Sequence, residues 1–172
     1  MMEGWSRKAV VRRTTGGKPQ AVRRTLTDKE LFEVLMQAGL EGAEWSRLFA
    51  LGLYTGLRLL DCGCLDWKDI DLERSLVRFR PSMQKQTVDI AFGRSLRDEL
   101  MEVSPEDRHG LVLPAIGPML KTNRTRVSAT IRKIFTQAGL EYSERGSGFG
   151  FSTLRACYIA MVRFGYPEES RK

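Results

Sequence analysis

The chain has 172 residues, of which 42% are hydrophobic and 28% are charged, and it carries a net charge of +7 at pH 7. This composition is typical of a single globular domain. No stretch approaches the roughly 18 consecutive apolar residues of a membrane helix, and an odd number of cysteines does not indicate a disulfide framework. These properties exclude membrane-spanning and disulfide-rich secreted classes, and we expect a cytoplasmic protein.

The basic residues are concentrated at the start of the chain. Residues 1–25 hold seven lysines and arginines against a single acid, Glu3. A basic tail of this kind binds polyanions through counterion release, although a solvated, disordered end is the alternative. We predict a flexible basic arm over 1–25, followed by one folded domain over 26–172. The candidate nucleic-acid contacts of the arm are Arg12, Arg13, Arg23 and Arg24.

Two helices begin the folded part. A capping box from Thr27 to Glu30 starts the first helix, and Gly39 is expected to end it. Apolar residues at helical spacing predict a second helix over 43–55, ended by Gly56. A short helix over 58–65 should follow.

A small sheet and three further helices follow. Residues 75–80 and 87–92 alternate between apolar and polar, which predicts two antiparallel strands. A helix around Leu96, a long one over 118–138 and a last one over 152–164 complete the chain. The predicted fold class is therefore α+β, mostly helical, with a small antiparallel β-sheet at one edge.

The segment after Gly56 carries the first chemical motif. Arg58 lies at the start of a new helix, where its guanidinium and the helix-terminal N–H groups would converge on an anion. Asp61 comes three residues later on the same face and could orient Arg58. A structural Arg–Asp pair is the alternative interpretation. A second arginine, Arg155, lies in the run from Phe151 to Ala156.

These two segments resemble the two arginine boxes of the tyrosine recombinase (phage integrase) family. The first match covers Gly56, Leu57, Arg58, Asp61, Leu65, Trp67, Asp69, Ile70 and Asp71, and the second centres on Leu154 and Arg155. Overall the resemblance extends from Leu26 to Pro167. It implies the integrase catalytic-domain fold, a bacterial or phage origin, and DNA integration by strand cleavage and rejoining. The acid is more often glutamate in that family, and Ser152 and Ala156 replace histidines.

The resemblance also implies roles for other residues. In the family two arginines bind the scissile phosphate, a hairpin lysine protonates the leaving oxygen, and a tyrosine attacks the phosphorus. Lys85 lies in the expected hairpin, although an ungapped alignment puts Met83 at that position. Ser152 is a candidate at the histidine position. We assign neither Tyr158 nor Tyr166 as the nucleophile, and we expect a catalytic domain that is incomplete at its C-terminus.

A basic run gives a second candidate surface. No acid occurs from Leu111 through Leu140, and part of the run can share one flank of the long helix. In recombinase-like folds this helix lies beside the duplex; a solvated basic helix is the alternative. The candidate phosphate contacts are Lys121, Arg124, Arg126, Arg132 and Lys133.

The sequence therefore predicts a site-specific recombinase domain whose partner is double-stranded DNA, with a possible homo-oligomer on that DNA. No metal-ligand or nucleotide-binding pattern is present, so we expect no metal, no cofactor and no membrane partner. Two alternatives stay open. One is a non-catalytic, degenerate integrase-like module that only binds DNA, and the other is a helix-turn-helix regulator.

Overall fold

The computed structural model describes residues 25–80, 86–142 and 148–164. This part of the chain contains seven α-helices and one antiparallel sheet of three strands in the order β1-β2-β3. The helices are α1 (Asp28–Glu41), α2 (Ala43–Thr55), α3 (Leu59–Cys64), α4 (Arg94–Met101), α5 (Ile116–Thr122), α6 (Arg124–Gln137) and α7 (Phe151–Phe164). The strands are β1 (Ile70–Asp71), β2 (Leu76–Phe79) and β3 (Val88–Ala91). The mostly helical α+β class is confirmed.

Helix α2 is the centre of the core. It packs against α1, α3, α4 and α7, and its residues from Arg47 to Leu53 are all buried. Such an apolar helix is stable only when other helices cover it on most sides. The prediction of a helix over 43–55 is confirmed at both ends, because Gly56 takes a left-handed conformation (φ 65°) that stops α2.

The capping box at Thr27 is also confirmed. The Thr27 hydroxyl accepts a hydrogen bond from the Glu30 N–H, and the Glu30 carboxylate accepts one from the Thr27 N–H. The expected stop at Gly39 is wrong, however. Helix α1 continues to Glu41, and the N–H of Gly42 closes it by donating to the Ala38 and Gly39 carbonyls.

The long helix expected over 118–138 is two helices. Asn123 interrupts it with φ −144° and ψ 63°, and its side-chain oxygen accepts a hydrogen bond from the Arg126 N–H at 3.2 Å. An asparagine that caps a new helix in this way competes with continuation of the preceding one. Lys121 therefore lies in the last turn of α5, while the other basic residues of the run belong to α6, and the predicted shared flank of one helix is wrong.

The predicted strand pair is confirmed as β2 and β3, with Val77 opposite Ile90 and Arg78 opposite Asp89. The short β1 was not predicted, because two residues are too few for an alternating pattern. None of the helices in the described ranges is long and apolar enough to cross a bilayer.

Candidate phosphate-binding site

The first arginine lies at the turn between α2 and α3. Because Gly56 ends α2, the chain reverses there and Arg58 becomes the residue that precedes the first turn of α3. Its carbonyl accepts the hydrogen bond from the Cys62 N–H at 2.9 Å, while its side chain is exposed. Asp61 lies in the first turn of α3 and is buried.

The second arginine reaches the same turn from α7. The Arg155 Nη1 donates a hydrogen bond to the Gly56 carbonyl at 3.0 Å, across a separation of 99 residues. The side chain is otherwise exposed. The structure therefore brings the two arginine motifs to one turn, although no local pattern in the sequence joins them.

Two glycines of α2 set the position of α7. A Cβ atom at Gly52 would lie 2.6 Å from Cζ of Phe151, and one at Gly56 would overlap the ring of Tyr158. Phe151, Arg155 and Tyr158 follow each other at spacings of four and three, so they lie on one face of α7. The Phe151 and Tyr158 rings pack against the two glycines of α2 and so fix the position of α7 along α2. In that position Arg155 reaches the α2–α3 turn.

The remaining residue of the second motif, Ser152, is exposed in the first turn of α7, one helical turn before Arg155. The Thr153 hydroxyl accepts a hydrogen bond from the Gly150 N–H at 3.0 Å and helps to begin this helix. Tyr158 is half-buried, and its ring packs over Gly56.

The basic run forms an exposed surface on α5 and α6, which we call the α5–α6 basic surface. All five of its predicted side chains are exposed. Two of them have partners: Lys133 pairs with Glu41 of α1 at 2.5 Å, and the guanidinium of Arg132 lies 5.3 Å from the centre of the Tyr142 ring. The surface consists of Lys121, Arg124, Arg126, Arg132 and Lys133.

Five predicted contacts are not tested by the structure. Lys85 and the arm residues Arg12, Arg13, Arg23 and Arg24 lie outside the described residues. In the parts that are described, no group of three or more His, Cys, Asp or Glu side chains could hold a metal ion.

A buried arginine in α2 was not predicted. Arg47 of α2 is buried, its Nη1 lies 3.4 Å from the Val112 carbonyl that accepts its hydrogen bond, and its Nε has no partner among the described residues. Burial lowers the pKa of Arg47, while Glu99 and Glu44 oppose that effect. The only signal in the sequence is that Arg47 directly precedes an apolar run in α2.

The structure matches solved recombinases over most of its length. The match to XerA recombinase covers 87% of this chain (TM-score 0.61, 14% identity), and the match to a lambda integrase dimer bound to a COC' core site covers 86% (TM-score 0.60, 17% identity). The integrase of mycobacterium phage Brujita matches with a TM-score of 0.57, 14% identity and 86% coverage. The chain has the tyrosine recombinase catalytic-domain fold.

The chain spans about half the length of these recombinases: 54% of XerA, 56% of the lambda integrase chain and 46% of the Brujita integrase. No protein-family model and no curated protein sequence matches it. The likeness to these recombinases is therefore one of fold.

Proposed function

We propose that this chain binds double-stranded DNA and that Arg58 and Arg155 together hold a phosphodiester group for site-specific recombination. The observation that carries the proposal is the hydrogen bond from Arg155 to the Gly56 carbonyl, two residues before Arg58. Two arginines at one exposed turn offer several N–H donors and permanent positive charge. The oxygens of a phosphate group accept such bidentate, charge-assisted hydrogen bonds.

The chemistry explains why two arginines suit this role. Strand exchange passes through a pentavalent phosphorus with negative charge on its non-bridging oxygens, and guanidinium groups stabilise that charge. In the proposed reaction a tyrosine attacks the phosphorus, which gives a 3′-phosphotyrosyl link and releases the 5′-oxygen. Lys85 would donate the proton to that oxygen, and Asp61 and Ser152 would support the arginines.

The α5–α6 basic surface supports the choice of duplex DNA as the partner. It adds exposed cations beyond the α2–α3 turn where Arg58 and Arg155 meet, which we call the arginine turn. Cations of this kind bind the phosphate backbone without reading sequence. The solved neighbours include a lambda integrase tetramer bound to a Holliday junction, which supports a homo-oligomer on DNA.

A binding assay tests the proposal. Fluorescence anisotropy on a labelled duplex should show that Arg58→Ala and Arg155→Ala each weaken binding by about tenfold or more, because each removes charged hydrogen bonds. Arg97→Ala is the matched control, since Arg97 is an exposed arginine on α4. Equal effects of all three substitutions would contradict a phosphate site at the α2–α3 turn.

A second candidate is a DNA-binding module without strand cleavage. The exposed Ser152 at the expected histidine position favours it, because serine is a poor proton donor at neutral pH. A nicked suicide substrate distinguishes the two. With the full-length protein, a covalent protein–DNA adduct that maps to a tyrosine would establish the enzyme, whereas tight binding without an adduct would establish the module.

A further inference from the structure

Helices α3 and α5 meet backbone to backbone at two glycines. A Cβ atom at Gly117 would overlap the carbonyl oxygen of Gly63. A Cβ at Gly63 would overlap the side chain of Leu120 and would lie 3.5 Å from the Gly117 Cα. At position 117 only glycine permits this approach, whereas at position 63 a side chain would require the Leu120 side chain to move. We call this contact the Gly63–Gly117 crossing.

The segments beside the crossing hold it in place. The Val112 N–H donates to the Leu65 carbonyl, and the Trp67 N–H donates to the Gly110 carbonyl, both at 2.9 Å. The chain that leaves α3 is therefore bonded to the chain that enters α5. The Glu44 carboxylate of α2 also accepts hydrogen bonds at the start of α5. The Ala115 nitrogen lies 3.1 Å from Glu44 Oε1 and 3.0 Å from Glu44 Oε2.

Candidate phosphate contacts lie close to the crossing on both helices. Arg58 precedes Gly63 by five residues, and Lys121 follows Gly117 by four. At a rise of about 1.5 Å per residue, the Cα atoms of both residues lie within about 8 Å of the crossing along the helix axes. Because only Asn123 separates α5 from α6, a shift of α5 would also move the first cations of α6.

We propose that the Gly63–Gly117 crossing fixes the distance between Arg58 and the α5–α6 basic surface, so that both contact phosphates of one duplex together. Gly63 and Gly117 would then be positioning residues for DNA binding. This inference rests on the proposed DNA-binding function. It adds that the two cationic regions act as one rigid surface whose spacing depends on two residues without side chains.

The slope of DNA affinity against salt tests this inference, because it reports how many phosphates the protein neutralises. Gly117→Ala should weaken binding by about tenfold. The negative slope of log affinity against log salt should become shallower by about 0.9 for each phosphate that the variant no longer neutralises. Gly39→Ala is the matched control, since Gly39 is a helical glycine with no atom within 4 Å of an added Cβ. Its affinity and slope should equal those of the parent chain.

All affinities are measured well below the unfolding temperature of each variant. Under those conditions a purely structural role predicts a lower unfolding temperature with unchanged affinity and slope, and that result for Gly117→Ala would overturn the inference. If the parent chain itself shows no salt-dependent binding, the proposed function fails instead. The two failures are therefore distinguishable.

A second pair of variants decides the matter if Gly117→Ala does not fold. The overlap in Gly63→Ala is with the Leu120 side chain, so Leu120→Ala should relieve it. We expect the Gly63→Ala/Leu120→Ala double variant to bind DNA with the affinity and slope of Leu120→Ala alone, whereas Gly63→Ala alone binds more weakly. Full affinity and slope in Gly63→Ala alone would contradict the positioning role.

Discussion

The arginine turn and the small sheet each display an exposed arginine, but the two are held differently. Arg155 donates to a neutral carbonyl, that of Gly56, at 3.0 Å. Arg78 of β2 donates twice to the Asp89 carboxylate of β3, at 2.9 Å and 3.0 Å. The carbonyl orients Arg155 without cancelling its charge, whereas the carboxylate neutralises Arg78. Only the first arrangement leaves a full positive charge for a phosphate.

The two regions also place the same unusual backbone on different residues. Gly56 at the arginine turn has φ 65°, and Ser75 between β1 and β2 has φ 54°. A left-handed conformation costs a side-chain-bearing residue free energy that glycine does not lose. The arginine turn is therefore relaxed at this position, while the sheet turn stores strain. Three substitutions test this comparison.

The largest effect is expected for Gly56→Ala. The new methyl group would overlap the Tyr158 ring in addition to straining the backbone, so we expect the free energy of unfolding to fall by about 2–4 kcal/mol. Urea unfolding measures this decrease. Gly139→Ala is the control, because Gly139 also follows a helix with positive φ (76°) but has open space around it. Equal decreases for the two variants would show that the Tyr158 contact does not stabilise the turn.

A smaller effect of the opposite sign is expected for Ser75→Gly. Relief of the left-handed strain should raise the free energy of unfolding by about 1 kcal/mol or less, since glycine also loses more entropy on folding. The same urea experiment measures it. As a control, Ser128→Gly inside α6 should lower stability by about 0.5 kcal/mol. A destabilised Ser75→Gly variant would mean that the strain at this turn is already relieved by its surroundings.

The smallest effect is expected for Asp89→Asn, and it should depend on pH. Hydrogen bonds from Arg78 lower the pKa of Asp89, so its ionised form stabilises the fold above about pH 4, the ordinary value for an aspartate, and this contribution is lost as the pH falls through the lowered pKa. The unfolding midpoints of the parent chain and the variant should therefore differ slightly at pH 7 and converge at pH 2. A constant difference across that range would rule out the ion pair as its cause.

The sequence predicted local structure well wherever one signal dominated. The capping box at Thr27, the left-handed Gly56 and the alternation in β2 and β3 each depend on neighbours in the chain. The break at Asn123 was missed because the apolar spacing continues across it. The signal in the sequence is the asparagine itself, a residue type that often caps the start of a helix. Gly39 was misread because a glycine also fits inside a helix, and tertiary contacts decide where such a helix ends.

The site itself was predictable only in part. Arg58 and Arg155 came from motifs, but their meeting at one turn depends on how α7 packs against α2. Arg47 was missed because its burial results from contacts with the segment after residue 111 and with α4, which lie far from it in sequence. Local patterns in one sequence do not reveal contacts between distant segments.

The two rings that hold α7 also fix its register. Phe151 and Tyr158 each fill the space over one glycine of α2, so the number of residues between them is set by the spacing of those glycines. Inserting one residue between Phe151 and Arg155 would rotate the rest of α7 by about 100° relative to Phe151. The rotation would move the Arg155 guanidinium away from the turn. Outward positions such as Val162 accept changes of side chain, but the stretch from Phe151 to Tyr158 does not accept a change of length.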